Sequence, residues 1–222
     1  MKLALFDLDH TLLSGDSDVL WCAFLVKRKV LDGATFEPRN REMERDYQAG
    51  TVSATAFCEF YISTLAGRTP KEWQTLREDF LRSEILPRIP ASARTLVQGH
   101  ADAGDVVVMT TATNRFITEL TALHLGFEHL IATETQVAAD GKFTGRPTGM
   151  LNMREGKVAR LLAWLGQRGL TEAALASATF YSDSSNDLPL LRAVGHAVAV
   201  DPDRKLEAVA RAAGWPVLRL KR

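Results

Sequence analysis

Short apolar runs alternate with longer amphipathic segments over most of the chain. Residues 1–8, 106–109, 178–182 and 197–200 are apolar runs rich in Val, Leu, Ala and Phe, a pattern typical of strands buried on both faces of a parallel sheet. Segments with the apolar spacing of one helix face follow them. Strands that alternate with helices in this way predict an α/β fold with a doubly wound parallel sheet.

Residues 16–85 differ from the rest because they carry helical patterns and no strand pattern. Helices are predicted from about Asp18 to Gly33, over 39–49, and after Ser53. A fourth is predicted to begin at Thr69-Pro70-Lys71-Glu72, which fits a capping box with proline at the first helical position. The aromatic residues of this stretch are predicted to form its core: Trp21, Phe57, Phe60, Tyr61 and Trp73.

This arrangement predicts two domains. Residues 16–85 would form a small all-helical cap inserted after the first strand, and residues 1–15 and 86–222 would form the core domain. Within the core, "ADGKFTG" predicts a hairpin around Asp140-Gly141. The run at 216–220 is expected to close the sheet.

Composition narrows the class of protein. The chain has 222 residues with 27 Lys and Arg against 27 Asp and Glu, so its zero net charge gives no support to nucleic-acid or anionic-membrane binding. Asp7 and Asp9 interrupt the first apolar run before it could serve as a signal peptide. Cys22 and Cys58 lack metal-type spacing, so we expect two reduced core thiols in a cytoplasmic protein.

Polar side chains collect where three of the predicted strands end and where one helix begins: Asp7 and Asp9, Thr110 and Thr111, Asp183, Asn186 and Asp187, and Lys157. Because ligands bind at the carboxyl ends of parallel strands, we expect one site there. Hard oxygen ligands suit Mg²⁺, and a metal between Asp7 and Asp183 would relieve their repulsion. A hydroxyl and Lys157 would face the remaining anion, most simply a phosphate.

These residues occur in an order that resembles the haloacid dehalogenase superfamily, and most closely its phosphatase branch, which includes phosphoserine phosphatase. The matching segments are Asp7-Leu8-Asp9-His10-Thr11, then Thr111, then Lys157, then Ser182-Asp183-Ser184-Ser185-Asn186-Asp187. The resemblance implies a Rossmann-like core with a small helical cap. It also implies a Mg²⁺-dependent phosphomonoester hydrolase that acts on a small phosphorylated metabolite.

The resemblance implies a role for each residue of the pattern. Asp7 would be the nucleophile that forms an aspartyl-phosphate, and Asp9 would be the general acid and base. Mg²⁺ would be bound by the Asp7 side chain, the Asp9 backbone carbonyl and Asp183. Thr111 would donate its hydroxyl to the phosphoryl group, with the adjacent Thr110 left open as the alternative.

Lys157 would stabilise charge on the phosphoryl group and on Asp7. The resemblance further implies that Asn186 binds the substrate. Asn186 and Asp187 would also orient the waters of the metal and the side chain of Lys157. In the cap, the candidate substrate contacts are Ser17, Asp18, Arg41, Glu44 and Arg45. An acid among them could hold the amine of an amino-alcohol phosphate.

The substrate is left open between phosphoserine and histidinol phosphate. The last motif, S-D-S-S-N-D, lacks the glycine of many relatives, and T-T-A-T-N replaces the Ser-Gly-Gly of typical phosphoserine phosphatases. The T-A-T-N form is closer to relatives that include histidinol-phosphate phosphatases. The alternatives from other classes are a receiver-like phosphoacceptor, which needs no lid, and a non-catalytic phosphate-binding module. The sequence does not indicate an oligomeric state.

Overall fold

The computed structural model describes residues 2–49 and 51–220, with the backbone alone for Gln48. Within those residues, seven strands form one sheet: β1 (Leu3–Phe6), β2 (Val106–Asn114), β3 (His129–Val137), β4 (Phe143–Thr148), β5 (Thr179–Ser182), β6 (His196–Val200) and β7 (Val217–Leu218). The strand order is β4-β3-β2-β1-β5-β6-β7, and only β4 pairs antiparallel. The chain runs from β1 to β2, β3 and β4 on one side of β1, and then crosses to β5, β6 and β7 on the other side. The carboxyl end of β1 therefore lies at the topological switch point.

Helices α1–α4, inserted after β1, form a helical cap: α1 (Ser17–Lys27), α2 (Gly33–Gln48), α3 (Ala54–Ile62) and α4 (Pro70–Phe80). The helices α5–α9 accompany the sheet: α5 (Ala91–Asp102), α6 (Arg115–His124), α7 (Glu155–Gly166), α8 (Leu188–Ala193) and α9 (Arg204–Ala213). The predicted fold class is therefore confirmed. The division of the chain at residues 16 and 85 stays a prediction. No described helix is long and apolar enough to cross a bilayer.

Two predicted boundaries in the cap differ from the structure. Gly33 was expected to end the first helix, but α1 ends at Lys27 and Gly33 begins α2. The reason is Asp32, whose carboxylate accepts a hydrogen bond from the Ala34 N–H at 3.1 Å and caps α2. Pro38 is accommodated inside α2, although the predicted helix began after it.

Local capping signals elsewhere in the cap are confirmed. The Thr69 N–H donates to Glu72 at 2.7 Å, and the Glu72 N–H donates back to the Thr69 hydroxyl at 3.2 Å, which is the predicted capping box of α4. Ser53 likewise caps α3 by accepting from the Ala56 N–H. These reciprocal bonds satisfy backbone donors that the helix itself leaves unpaired.

Hydrophobic clusters lie on both faces of the sheet, and one of them continues into the cap. Trp21, Tyr61 and Trp73 are fully buried there, as predicted. Phe57 packs against this cluster as predicted, but it is half-buried and also lines the large cavity between cap and core. Cys22 and Cys58 are both buried free thiols.

The predicted hairpin is present, and it fastens the cap to the core. Strands β3 and β4 pair antiparallel, and Phe143 at the start of β4 exchanges two backbone hydrogen bonds with the cap, accepting from Gly67 and donating to Arg68, both at 2.9 Å. Gly145 has φ +80°, and a Cβ there would lie 2.9 Å from the Cβ of Ala66. Glycine is therefore needed at this contact, both for its backbone conformation and for its size.

Candidate active site

A cavity of about 700 Å³ lies between the cap and the carboxyl ends of β1, β2 and β5. The core contributes one set of lining side chains: Asp7, Asp9, Thr113, Lys157, Asp183, Asn186 and Asp187. The cap contributes another: Asp16, Asp18, Glu44, Tyr47 and Phe57. The polar residues that the sequence places far apart thus meet at one edge of the sheet, which is where open parallel sheets bind ligands.

Lys157 lies at the centre of the charged network. Its ammonium group, on the first turn of α7, donates to Asp7 Oδ1 and to Asp187 Oδ2, both at 2.7 Å, and its side chain is 2% exposed. Burial alone would lower the pKa of Lys157, but Asp187 and Asp7 outweigh burial and raise it. The lysine is therefore held as a cation beside two carboxylates.

Asp187 has a second donor, since the Ser182 hydroxyl bonds its Oδ2 at 2.7 Å. The same Ser182 oxygen accepts from the Ser184 N–H at 3.2 Å, which fixes the turn between β5 and α8. The carboxylate of Asp187 thus fixes the position of the Lys157 ammonium beside Asp7, which is consistent with the predicted orienting role.

Asp7 and Asp183 lie on neighbouring strand ends and share one hydroxyl. Thr11 Oγ1 is 3.2 Å from Asp7 Oδ2 and 2.9 Å from Asp183 Oδ1. Burial raises the pKa of Asp7 to about 7, with Lys157 opposing that rise, and burial together with the charge of Asp7 raises the pKa of Asp183 well above its ordinary value. A buried and a half-buried carboxylate this close are electrostatically unfavourable without a further cation.

This donor set suits Mg²⁺. No three His, Cys, Asp or Glu side chains of the described residues gather as a ligand group. Mg²⁺ typically needs only one or two carboxylates and keeps several waters, so Asp7, Asp183 and the Asp9 backbone carbonyl are the groups that could hold it. The Thr11 hydroxyl shared by Asp7 and Asp183 shows that the two carboxylates lie side by side, where an added positive charge would offset their repulsion.

The carboxylate of Asp9 is held apart from Asp7 by three donors. Its Oδ1 accepts from the Ser17 N–H at 2.7 Å, and its Oδ2 accepts from the Thr113 hydroxyl at 2.9 Å and from the Thr111 hydroxyl at 3.3 Å. Asp9 therefore faces the cavity with a fixed side-chain position. Sequence reasoning missed Thr113, although alternation along an extended strand puts it on the same face as Thr111.

Thr110 and Thr111 point in different directions. The Thr110 hydroxyl accepts a hydrogen bond from the Asn152 side chain at 3.0 Å, inside a buried network that also holds the Thr111 carbonyl. Of the two hydroxyls, the one on Thr111 lies beside Asp9. Thr111 is therefore nearer to the site than Thr110, but it is fully buried, and Thr113 is the threonine that lines the cavity.

Asn186 makes a contact that the sequence did not indicate. Its side-chain amide donates to the Tyr47 hydroxyl at 3.1 Å, so it joins the core loop after β5 to the end of α2 in the cap. Asn186 also lines the cavity. It therefore lies where cap and core meet, next in sequence to Asp187.

The cap side of the cavity is acidic. Asp16 caps α1, and burial and the charge of Asp9 raise its pKa to about 7. Burial, then Asp16 and Asp9, raises the pKa of Asp18 well above its ordinary value, and Glu44 of α2 lines the same side. Of the predicted cap contacts, Asp18 and Glu44 reach the cavity, whereas Asp16 was missed.

The other predicted cap contacts lie elsewhere. Ser17 is buried, and its hydroxyl donates to Thr113 at 3.3 Å. Arg41 and Arg45 are exposed on α2, do not line the cavity, and form ion pairs with acids of the same helix. Surface ion pairs of this kind contribute little to stability, and their position outside the cavity gives no support to a role in substrate binding.

Arg154 lines the cavity from the core side, just before α7. Its φ is +50°, which is unfavourable for a residue with a side chain, and it precedes Lys157 by one helical turn. Among the described residues, no hydrogen bond or ion pair engages its guanidinium, so this cation is available to an anionic group in the cavity.

Comparison with known proteins agrees with this geometry. The family model of the haloacid dehalogenase-like hydrolases matches residues 4–192, so the chain belongs to that family. A histidinol-phosphatase of Neisseria meningitidis is 41% identical over 220 residues, which cover 99% of both chains. Phosphoserine phosphatase SerB1 of Mycobacterium tuberculosis is 34% identical over 224 residues, covering 96% of this chain and 69% of SerB1. Within the family, the chain is a phosphatase of the haloacid dehalogenase type.

Two solved structures share the fold. A protein of unknown function from Bordetella pertussis Tohama I superimposes with a TM-score of 0.93 at 42% identity, covering 98% of this chain and 97% of that one. A phosphoserine phosphatase solved as a phospho-aspartyl intermediate analogue gives a TM-score of 0.71 at 18% identity, covering 100% and 94%. The second likeness concerns the fold alone.

Proposed function

We propose that this phosphatase hydrolyses histidinol phosphate through an aspartyl-phosphate on Asp7, with Mg²⁺ as cofactor. The observation that carries the proposal is the placement of the Asp7 carboxylate, 2.7 Å from Lys157 Nζ, in a cavity whose opposite wall is acidic. With a divalent cation bound, the Lys157 end of the cavity would suit a dianionic phosphate, and the acidic cap wall suits an ammonium group.

The reaction assigns one proton to Asp9. The Asp7 carboxylate attacks phosphorus, the bond from phosphorus to the ester oxygen breaks, and protonated Asp9 gives its proton to the leaving alkoxide. The resulting Asp9 carboxylate then takes a proton from water, and that water attacks the aspartyl-phosphate and frees inorganic phosphate. Ser17, Thr111 and Thr113 support this role because they hold the Asp9 carboxylate in one position.

Lys157 and the threonine hydroxyls would stabilise the phosphoryl group. The ammonium already contacts Asp7 Oδ1, so it is placed to share charge with phosphoryl oxygens added to that carboxylate. Thr111 is the hydroxyl assigned to those oxygens. Asp187 would keep Lys157 aimed at Asp7, and Asn186 would contribute to substrate binding from the edge of the cap.

Asp7, Asp183 and the carbonyl of Asp9 are the residues that would hold Mg²⁺, the metal that phosphatases of this family typically use. The ion would supply positive charge that offsets the phosphoryl oxygens and keeps Asp7 ionised. Using the carbonyl of Asp9 leaves the carboxyl of that residue free for proton transfer.

The choice of histidinol phosphate rests on the relative and on the cap. The Neisseria histidinol-phosphatase matches this chain over almost its whole length. Asp16, Asp18 and Glu44 offer carboxylates to the amine of an amino-alcohol phosphate. A cytoplasmic location, in keeping with the two free thiols, is part of the same proposal.

A second candidate is phosphoserine, and Arg154 is the observation that favours it. Phosphoserine carries a carboxylate that histidinol phosphate lacks, and the unpaired guanidinium of Arg154 lines the cavity. Arginine binds carboxylates through paired hydrogen bonds.

The test is a comparison of kcat/KM for histidinol phosphate and phosphoserine with saturating Mg²⁺. We expect histidinol phosphate to be preferred by at least about tenfold, a difference that one well-placed group can supply. Asp7→Asn is the control for contaminating phosphatase and should be inactive on both. A preference for phosphoserine that is lost in Arg154→Met would replace the first candidate with the second.

A further inference from the structure

One wall of the cavity is apolar and is built from both the cap and the core. Tyr47 of α2 and Phe57 and Cys58 of α3 meet Met153, which precedes α7, and Ala112 of β2. We call these five residues the apolar wall. They belong to a small hydrophobic cluster between cap and core, and Phe57 also packs against the cluster that extends into the cap.

The two aromatic rings of the apolar wall stack on each other. The ring centroids of Tyr47 and Phe57 are 3.9 Å apart with an interplanar angle of 26°. Both side chains are half-buried, unlike Trp21 and Trp73 in the cap core, so part of their surface stays open to the cavity. Rings with an exposed face in a cavity are suited to bind another flat ring.

The wall carries no charge. Burial raises the pKa of Tyr47 and of Cys58, each to about 12, so both side chains keep their protons near neutral pH. The Sγ of Cys58 lies 3.3 Å from the Sδ of Met153, which closes the wall between cap and core. Sulfur atoms of this kind pack favourably against aromatic rings. Because most other lining residues are charged or polar, the apolar wall is the place where a ring would leave water at least cost.

The wall is also linked to the phosphoryl site. The Tyr47 hydroxyl accepts the hydrogen bond from Asn186 at 3.1 Å, and Asn186 is next to Asp187, whose carboxylate holds Lys157. Tyr47 and Asp7 also line the same cavity, so the apolar wall and the phosphoryl site open into one space.

We propose that the apolar wall binds the aromatic ring of the substrate, with Tyr47 and Phe57 as specificity-determining residues; under the proposed function, that ring is the imidazole of histidinol phosphate. The acidic cap residues would hold the amine, and the apolar wall would select for the ring. Discrimination then comes from burying the ring, so a substrate with the same amine and phosphate but no ring should gain nothing from the wall.

The experiment compares histidinol phosphate with 2-aminoethyl phosphate, which has an amine and a phosphate but no ring. In Tyr47→Leu and in Phe57→Leu, we expect kcat/KM for histidinol phosphate to fall by at least about tenfold. Activity on 2-aminoethyl phosphate should stay within about twofold of wild type in Phe57→Leu and, in Tyr47→Leu, within about twofold of Tyr47→Phe, which loses the same bond to Asn186. Phe36→Leu is the matched control, because Phe36 lies on α2 and stacks on Phe60 outside the cavity lining; it should change neither substrate.

Two further measurements separate ring recognition from a merely structural role. Tyr47→Phe removes the bond to Asn186 but keeps the ring, so it should preserve the ratio of kcat/KM for the two substrates. In wild-type enzyme, histidinol should inhibit para-nitrophenyl phosphate hydrolysis at a concentration at least about tenfold lower than 2-aminoethanol does.

The outcomes distinguish the two proposals. If wild type prefers histidinol phosphate but Tyr47→Leu and Phe57→Leu reduce both substrates equally, or leave the ratio unchanged, the proposed function stands and the ring site is wrong. If wild type prefers phosphoserine and histidinol inhibits no better than 2-aminoethanol, both are wrong. Where a leucine variant fails to fold, equal inhibition by histidinol and 2-aminoethanol still overturns the ring site, because no part of the cavity then recognises the ring.

Discussion

Lys157 Nζ lies 2.7 Å from Asp7 Oδ1, and the two side chains are 2% and 9% exposed. The same ammonium lies 2.7 Å from Asp187, so one buried cation contacts two buried carboxylates. The desolvation of buried charges is costly and is offset by their mutual attraction, so removal of one partner leaves uncompensated charge in a low-dielectric environment. The relationship therefore has consequences for stability as well as for catalysis.

Lys157→Met should lower the free energy of unfolding by about 3–5 kcal/mol at pH 8, measured by urea denaturation. The loss should be smaller at pH 5, because Asp7, whose pKa is already about 7 with Lys157 present, then takes up a proton. Lys27→Met is the control, since Lys27 is 73% exposed and pairs with Glu84 at 3.5 Å; that change should cost under about 1 kcal/mol. Equal losses in the two variants would contradict the role of Lys157.

Asp9→Asn should slow the release of phosphate from Asp7 more than it slows the first step on a substrate with a good leaving group. Rapid mixing with para-nitrophenyl phosphate should then give a burst of para-nitrophenol followed by a steady rate reduced by roughly 10²–10⁴-fold. Asp7→Asn should give neither burst nor turnover. Steady turnover at the wild-type rate in Asp9→Asn would remove Asp9 from the mechanism.

Mg²⁺ should raise the melting temperature, because it would relieve the repulsion between Asp7 and Asp183. At 100 times its dissociation constant the gain is about 2.7 kcal/mol, or roughly 5–10 °C for a chain of this size. Asp183→Asn should abolish the shift. Asp203→Asn should retain it, since Asp203 lines the same cavity but its carboxylate caps α9, a role that Asn can also fill. A shift that survives in Asp183→Asn would exclude this metal site.

Asp16 should make the chain less stable as pH rises. Burial raises its pKa from 3.8 to about 7, so between those values the unfolded chain releases a proton that the folded chain keeps. The contribution of this carboxyl to the free energy of unfolding is thus present below pH 4 and is lost as pH approaches 7. Asp16→Asn keeps the helix cap and should remove this dependence, so its stability relative to wild type should increase from pH 4 to pH 7.

The control for this titration is Asp32→Asn, because Asp32 caps α2 in the same way but is exposed to solvent. The measurement is the melting temperature of wild type, Asp16→Asn and Asp32→Asn across the same pH range. Parallel curves for wild type and Asp16→Asn would mean that burial and the charge of Asp9 do not raise the pKa of Asp16.

Much of the fold could be predicted because its signals are local. The capping box at Thr69 and Glu72 requires only residues three positions apart, and a buried strand is visible in its own composition. The positions of Asp7 and Asp183 follow from the rule that parallel strands end at one edge. These inferences need no knowledge of how distant segments approach one another.

The parts that escaped prediction depend on such approaches. The bond between Asn186 and Tyr47 joins residues 139 positions apart, and no local pattern marks either partner. Strand β2 continues past its apolar run because Thr111 and Thr113 face a polar site instead of a core, so composition alone ends the strand too early. The roles assigned to the individual site residues stay predictions until the variants above are measured.

The fastening of strand β4 to the cap limits how this enzyme can be re-engineered. A chimera that takes residues 16–85 from a relative would also import a different partner for Phe143 and Gly145. A donor segment with a bulkier residue in place of Ala66 would collide with β4, and a recipient with any side chain at 145 would do the same. A chimera designed to change substrate preference therefore has to take the cap helices and the β3–β4 hairpin from the same donor.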